Sequence, residues 1–245
     1  MDVAQHVNPA LLAVAAGVSN FMGGLAITSR KSWNKTALSS CLAIGAGFIL
    51  ALSVIKLIPL SFEYSPRAAL FMLAGYFLVH FAEHGISPHF HFGEEVHAEA
   101  LVHPSAGWAA FAGLAIHSLL DGITMASGFA IDFSLGLVIF VALLLHKIPE
   151  GFTIATVFLA SGRSRRLALL AAGLLGLFTI LGYSLLFGLK QHIAVFLPLS
   201  AGATLYVAAS DLIPAVNEER GLRMSFCVLV GICLFYAADR IAAGF

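Results

Sequence analysis

Long apolar runs alternate along this chain with short breaks of charge, proline or clustered glycine. They predict eight helices, over 9–29, 38–60, 66–84, 105–130, 133–160, 167–189, 192–214 and 223–243. A helix that crosses a bilayer needs ~20 apolar residues, so each run is sized to cross once. Ile131, Asp132 and Phe133 alone join the fourth and fifth helices, which must form a tight antiparallel hairpin. The one long connection, from His84 to Pro104, reads HGISPHFHFGEEVHAEALVHP and carries no lysine or arginine.

Composition supports this reading. The 245 residues are 60% hydrophobic and 11% charged, where a soluble chain has roughly 45–50% and about 25%. Mean hydropathy is +0.94. Eight crossings leave no room for a folded soluble domain, so 1–245 is read as one membrane domain. The opening MDVAQHVNPALL lacks the basic region of a cleaved signal, and the first run is expected to be a membrane helix. A net charge of zero removes nucleic acid as a natural partner. Cys41, Cys227 and Cys233 lie in apolar stretches and form no CxxC pair.

Basic residues set an expected orientation. Arg30, Lys31, Lys35, Arg163, Arg165, Arg166, Arg220 and Arg223 fall on one side; Arg67, Lys190 and Arg240 fall on the other. The first side is expected to be cytoplasmic. Both termini then face outward, and the loop at about 84–104 faces inward.

The chain also repeats itself. Residues 46–63 (AGFILALSVIKLIPLSFE) align without gaps on 201–218 (AGATLYVAASDLIPAVNE), and both carry the ending L-I-P-x3-E. The second and seventh helices run in opposite directions, which makes this an inverted repeat. Secondary transporters are often built this way, with substrate held near the midplane.

The chemistry concentrates in the central hairpin. The fourth helix contains HSLLDG (117–122) and the fifth HKIPEG (146–151), both H-x-x-x-[D/E]-G. Thr124 and Thr153, and Ala126 and Ala155, follow at matching positions. A four-residue step puts histidine and carboxylate on one helix face. His117 and His146 are equally far from the hairpin turn, so they share a depth. Asp121 and Glu150 are then displaced ~6 Å in opposite directions, giving a polar band about 12 Å tall. Burying Asp121, Lys147 and Glu150 in lipid costs on the order of 10 kcal/mol, more than packing explains. The structural alternative is a Lys147–Glu150 pair with the histidines as hydrogen-bonded glue. Imidazole with carboxylate suits Zn²⁺ and other first-row divalent ions, and the absence of cysteine makes Cu⁺ less suited. Pro149 frees the Leu145 carbonyl to face a cavity, ion or water.

The two motifs together closely resemble the ZIP family of divalent metal transporters, and the eight helices, outward termini, His-bearing loop and helix 2/helix 7 repeat extend the likeness. The resemblance implies an all-α multi-pass membrane protein of eight helices, with helices 1–3 and 6–8 as inverted repeats around the helix 4/helix 5 hairpin. It implies one transport domain in the plasma (inner) membrane, moving divalent metal toward the cytoplasm by alternating access, and no enzymatic activity. His117, Asp121, His146 and Glu150 are the implied metal ligands, with Ser118 as an auxiliary oxygen. The metal, Zn²⁺ first, is the substrate; no prosthetic group is implied. Members that hold two metals carry an acid after the helix 5 histidine and another in helix 6. Here Lys147 stands at the first place and helix 6 has no acid. The expectation is a single metal with Lys147 as built-in counter-charge. The alternative of another class is a membrane-embedded metal-dependent hydrolase. Partners are the metal ion and lipid; monomer and homodimer stay open.

Several residues carry weaker expectations. His80, His84, His89, His91, His97 and His103 are either a cytoplasmic metal relay or a solvated stretch. Lys56 and Asp211, equivalent in the repeat, are candidates for an ion pair, with snorkelling of Lys56 as the alternative. His6 and His192 are read as surface residues, Met22 and Met125 as core filling, and Asp239 and Arg240 as an anchor for the last helix.

Overall fold

The computed structural model describes residues 8–29, 35–86, 106–187, 192–217 and 222–242. All the regular structure among them is helical, and eight rods follow one another in the expected order. They are α1 (Pro9–Ser29), α2, α3 (Ala68–Ile86), α4 (Ala106–Ile131), α5 (Phe133–Ala160), α6 (Arg165–Phe187), α7 and α8 (Leu222–Ala242). Seven rods contain a stretch long and apolar enough to cross a membrane, and α3 contributes the shorter apolar run Ala68–Ala82. Exposed Leu, Phe and Val side chains on α1, α3, α6 and α8, such as Leu70, Phe81, Leu170 and Phe226, form the surface that suits a lipid environment.

Local chemistry closes these helices where it should. Asp132 caps α5 by accepting from the Leu135 N–H at 3.0 Å, so a single extended residue turns the chain between α4 and α5. Gly162, at φ +75°, ends α5. The Gly162 N–H donates to the Leu159 carbonyl and the Arg163 N–H to the Phe158 carbonyl, the bond pair of a glycine-terminated helix.

Rods α2 and α7 are each interrupted. The first runs as α-helix Lys35–Leu52, a π-helical turn Ser53–Leu57, then α-helix Ile58–Tyr64. The second runs as α-helix Ile193–Tyr206, a π-helical turn Val207–Leu212, then α-helix Ile213–Asn217. In the aligned repeat these turns coincide. The Ile58 N–H donates to the Ser53 carbonyl and the Ile213 N–H to the Ala208 carbonyl, five residues back at equivalent positions. Each turn lies just before a proline, Pro59 or Pro214. A proline offers no N–H and crowds the carbonyl four residues back; widening the turn accommodates both.

Packing repeats in the same inverted sense. Rod α1 lies on α5 as α6 lies on α4, and α3 lies on α7 as α8 lies on α2. The tightest crossings match residue by residue. A Cβ on Gly23 would lie 2.0 Å from the Ile148 carbonyl oxygen, and one on Gly182 would lie 2.0 Å from that of Leu119. Where α1 meets α6, Gly17 and Gly176 each face the other's carbonyl oxygen. Backbone contact this close needs small residues, which replace a hydrophobic driving force between helices in lipid.

Candidate metal centre

At the heart of the bundle α4 is the most enclosed of the long spans. Its His117, Ser118 and Asp121 face His146, Lys147 and Glu150 of α5, and all six are buried. One ligand atom from each of His117, Asp121, His146 and Glu150 falls within a group whose members all lie within 4.8 Å of one another.

Asp121 Oδ2 is the hub. It lies 3.2 Å from His117 Nε2, 3.2 Å from His146 Nε2 and 2.7 Å from Lys147 Nζ. Glu150 Oε2 is 4.0 Å from His117 Nε2 and 2.5 Å from Lys147 Nζ. The second Glu150 oxygen accepts the Ser118 hydroxyl at 2.5 Å, and Lys147 also donates to Ser118 Oγ at 2.9 Å. His146 Nδ1 is 2.8 Å from the Ala142 carbonyl oxygen. A carbonyl only accepts, so Nδ1 carries a proton and His146 presents Nε2 to the cluster.

Part of this geometry matches a metal's coordination edge, while Glu150 at 4.0 Å from His117 Nε2 stands farther out. Zinc bonds of about 2.0–2.1 Å in a tetrahedron put neighbouring ligand atoms roughly 3.3 Å apart. Both imidazole-to-Asp121 separations are close to that edge. Lys147 meanwhile reaches both carboxylates, joining the sequence's two motifs into one network. The Leu145 carbonyl released by Pro149 lies against α2, where a Cβ on Gly45 would be 3.4 Å away, rather than in the cluster. A separate cavity of about 510 Å³ opens toward the α4–α5 turn, lined by Asn8, Ala13, Ala126, Phe129 and Tyr183 among others. Ala126 is five residues beyond Asp121 on α4, ~7.5 Å along the axis.

A family model, ZIP Zinc transporter, matches residues 89–239, which include both motifs and the whole cluster. The chain belongs to the ZIP zinc transporter family. No curated protein matches it. For this ZIP chain, family membership favours metal transport over the membrane-embedded hydrolase.

Other expectations fare unevenly in this ZIP chain. His80 sits on α3 with its ring 5.8 Å from that of Tyr206. His84 lies on the same helix, but its side chain and His89, His91, His97 and His103 lie outside the described residues, as does His6. His192 is exposed and Met125 is core, as expected. Met22 is 51% exposed on the outer face of α1, so it is not core filling. Lys56 does form an ion pair, but with Asp239 of α8 at 2.9 Å; the Asp211 side chain lies outside the described ones. The motifs do not point to Asn20 on α1, which is fully buried. Its signal was available: an amide side chain set among Gly17, Gly23 and Gly24 in an apolar run.

Proposed function

We propose that this protein carries a divalent transition-metal ion, zinc first, across the plasma (inner) membrane toward the cytoplasm, with both termini outside. The cluster is a single-metal site: His117, Asp121, His146 and Glu150 are the ligands and Ser118 an auxiliary oxygen. The observation that carries the reading is the convergence of four buried ligand atoms within 4.8 Å between α4 and α5.

Lys147 gives the site its transport character. With neutral imidazoles, Asp121, Glu150 and Lys147 bring a formal charge of −1, and a divalent ion takes this to +1. The ammonium touches the carboxylate oxygens on which the ion would draw, and the two cations compete for them. Filling the place of a second metal with a tethered charge keeps the stoichiometry at one. The inverted repeat supports alternating access, with the cavity at the hairpin end, whose lining begins at Ala126 on α4, as an approach toward the site. The histidine-bearing loop as a cytoplasmic relay is a separate proposal; unchanged uptake at every zinc concentration after deletion of 87–101 would remove it.

The test is radiotracer zinc uptake into proteoliposomes, with iron, manganese and cadmium as competitors. Wild-type protein accumulates zinc and Glu150→Ala does not. Equal uptake by both would overturn the assignment of the site.

A further inference from the structure

Outside the His–carboxylate cluster, where Ser118 donates to Glu150 of α5, buried hydroxyls in these helices follow a common pattern. Those of Ser19, Thr28, Ser53, Thr124, Ser127 and Thr204 each donate to a carbonyl three or four residues back in the same rod. Such bonds satisfy the group without help from another helix. Asn20 breaks the pattern. It is 0% exposed, and among the described residues neither its Oδ1 nor its Nδ2 has a hydrogen-bond partner. A carboxamide offers two donors and an acceptor oxygen, and burying it without protein partners is a costly choice where a leucine would pack.

Its position gives the choice a purpose. Asn20 lies within the buried stripe of α1 that includes Ala13, Ala16, Gly17, Gly23 and Gly24, so its side chain points into the bundle. There α1 presses hardest on α5: a Cβ on Gly151 would lie 1.8 Å from the Asn20 carbonyl oxygen. Gly151 follows Glu150 directly, which sets Asn20 level with the Glu150 end of the cluster. The pseudo-symmetric position is Thr179, whose carbonyl oxygen would lie 2.0 Å from a Cβ on Gly122, beside Asp121. The Thr179 hydroxyl is served by the Leu175 carbonyl at 3.4 Å. Unspent hydrogen-bonding capacity therefore exists at one end of the site and not at the other.

We propose that Asn20 is a further cargo-handling residue, whose carboxamide solvates the divalent cation through a retained water as it passes the Glu150 end. This rests on the metal-transport reading. A neutral amide supports the ion's hydration without adding charge, so it eases passage while leaving the resting site no tighter. Its loss should slow transport and spare affinity.

The experiment compares wild type, Asn20→Leu, Asn20→Ala and Glu150→Ala in full-length protein. It measures initial zinc uptake in proteoliposomes, zinc affinity by calorimetry in detergent, and thermal unfolding in EDTA. Asn20→Leu should unfold at or above the wild-type temperature, bind zinc within about threefold of wild type, and take zinc up about tenfold more slowly. Wild-type uptake by a well-folded Asn20→Leu overturns the proposal, as does slower uptake matched by an equal loss of zinc affinity. If Asn20→Leu does not fold, Asn20→Ala decides: slow uptake with affinity kept supports the role, and wild-type uptake overturns it. Failure of wild type to accumulate zinc, or undiminished uptake by Glu150→Ala, overturns the metal-transport reading and this role together.

Discussion

Replacing Lys147 by methionine keeps an unbranched side chain one atom shorter and deletes its charge, which makes it a direct probe of the network. Lys147 is fully buried and touches Asp121 Oδ2 at 2.7 Å, Glu150 Oε2 at 2.5 Å and Ser118 Oγ at 2.9 Å. Without metal, the two carboxylates would lose their buried cation. Breaking a buried pair in this way costs ~3–5 kcal/mol. At ~2–4 °C per kcal/mol for a chain of this size, unfolding in EDTA should shift down by roughly 6–20 °C. Zinc should reverse the loss, because the formal charge meeting it changes from −1 to −2. One extra unit charge ~4 Å from a divalent ion, at an effective dielectric constant of ~20, adds about 8 kcal/mol of attraction. Lys147→Met should therefore show a larger zinc-induced rise in unfolding temperature than wild type, tighter zinc binding and slower release. Thermal unfolding in detergent, with EDTA and with a zinc series, reads all but the last. An EDTA unfolding temperature equal to wild type, with an equal zinc shift, would refute the reasoning.

Three further outcomes are expected. Gly23→Ala and Gly182→Ala should each cost ~1–3 kcal/mol by overpacking and by similar amounts, because both press a Cβ to 2.0 Å from a carbonyl oxygen at symmetric crossings; chemical denaturation in detergent measures it. Lys56→Met should change stability by less than about 1 kcal/mol and leave zinc uptake unaltered, since Lys56 and Asp239 are 36% and 23% exposed. Initial zinc uptake should fall as the pH on the loading side is lowered, because protons compete with the metal for imidazole and carboxylate. Uptake rising steadily through the same acid range would contradict the ligand set.

Much of the architecture is legible in the sequence because bilayer thickness fixes it. Apolar run length places the spans to within a few residues; α1 over 9–29 and α5 over 133–160 agree at both ends. The paired H-x-x-x-[D/E]-G motifs are legible because a four-residue step and a very short turn, the single residue Asp132 in the structure, leave little freedom. The π-helical turns in α2 and α7 are not, although the prolines beside them are, since a proline can also kink a helix without one. Partner choice is equally nonlocal. Repeat alignment matches Lys56 with Asp211, but its ion-pair partner Asp239 comes from α8. Met22 shows the limit of composition: in a chain this apolar, a hydrophobic residue faces lipid as readily as core. Asn20 is not legible, because a single polar residue carries no spacing pattern; its burial and its lack of a partner among the described residues distinguish it.

Anomalous scattering from zinc-soaked crystals tests the central claim most directly. The account predicts one anomalous peak between α4 and α5, about 2.0–2.2 Å from His117, Asp121, His146 and Glu150 ligand atoms, with Lys147 beside it. An empty cluster with zinc bound elsewhere in the bundle, or two peaks sharing Asp121 and Glu150, would contradict it.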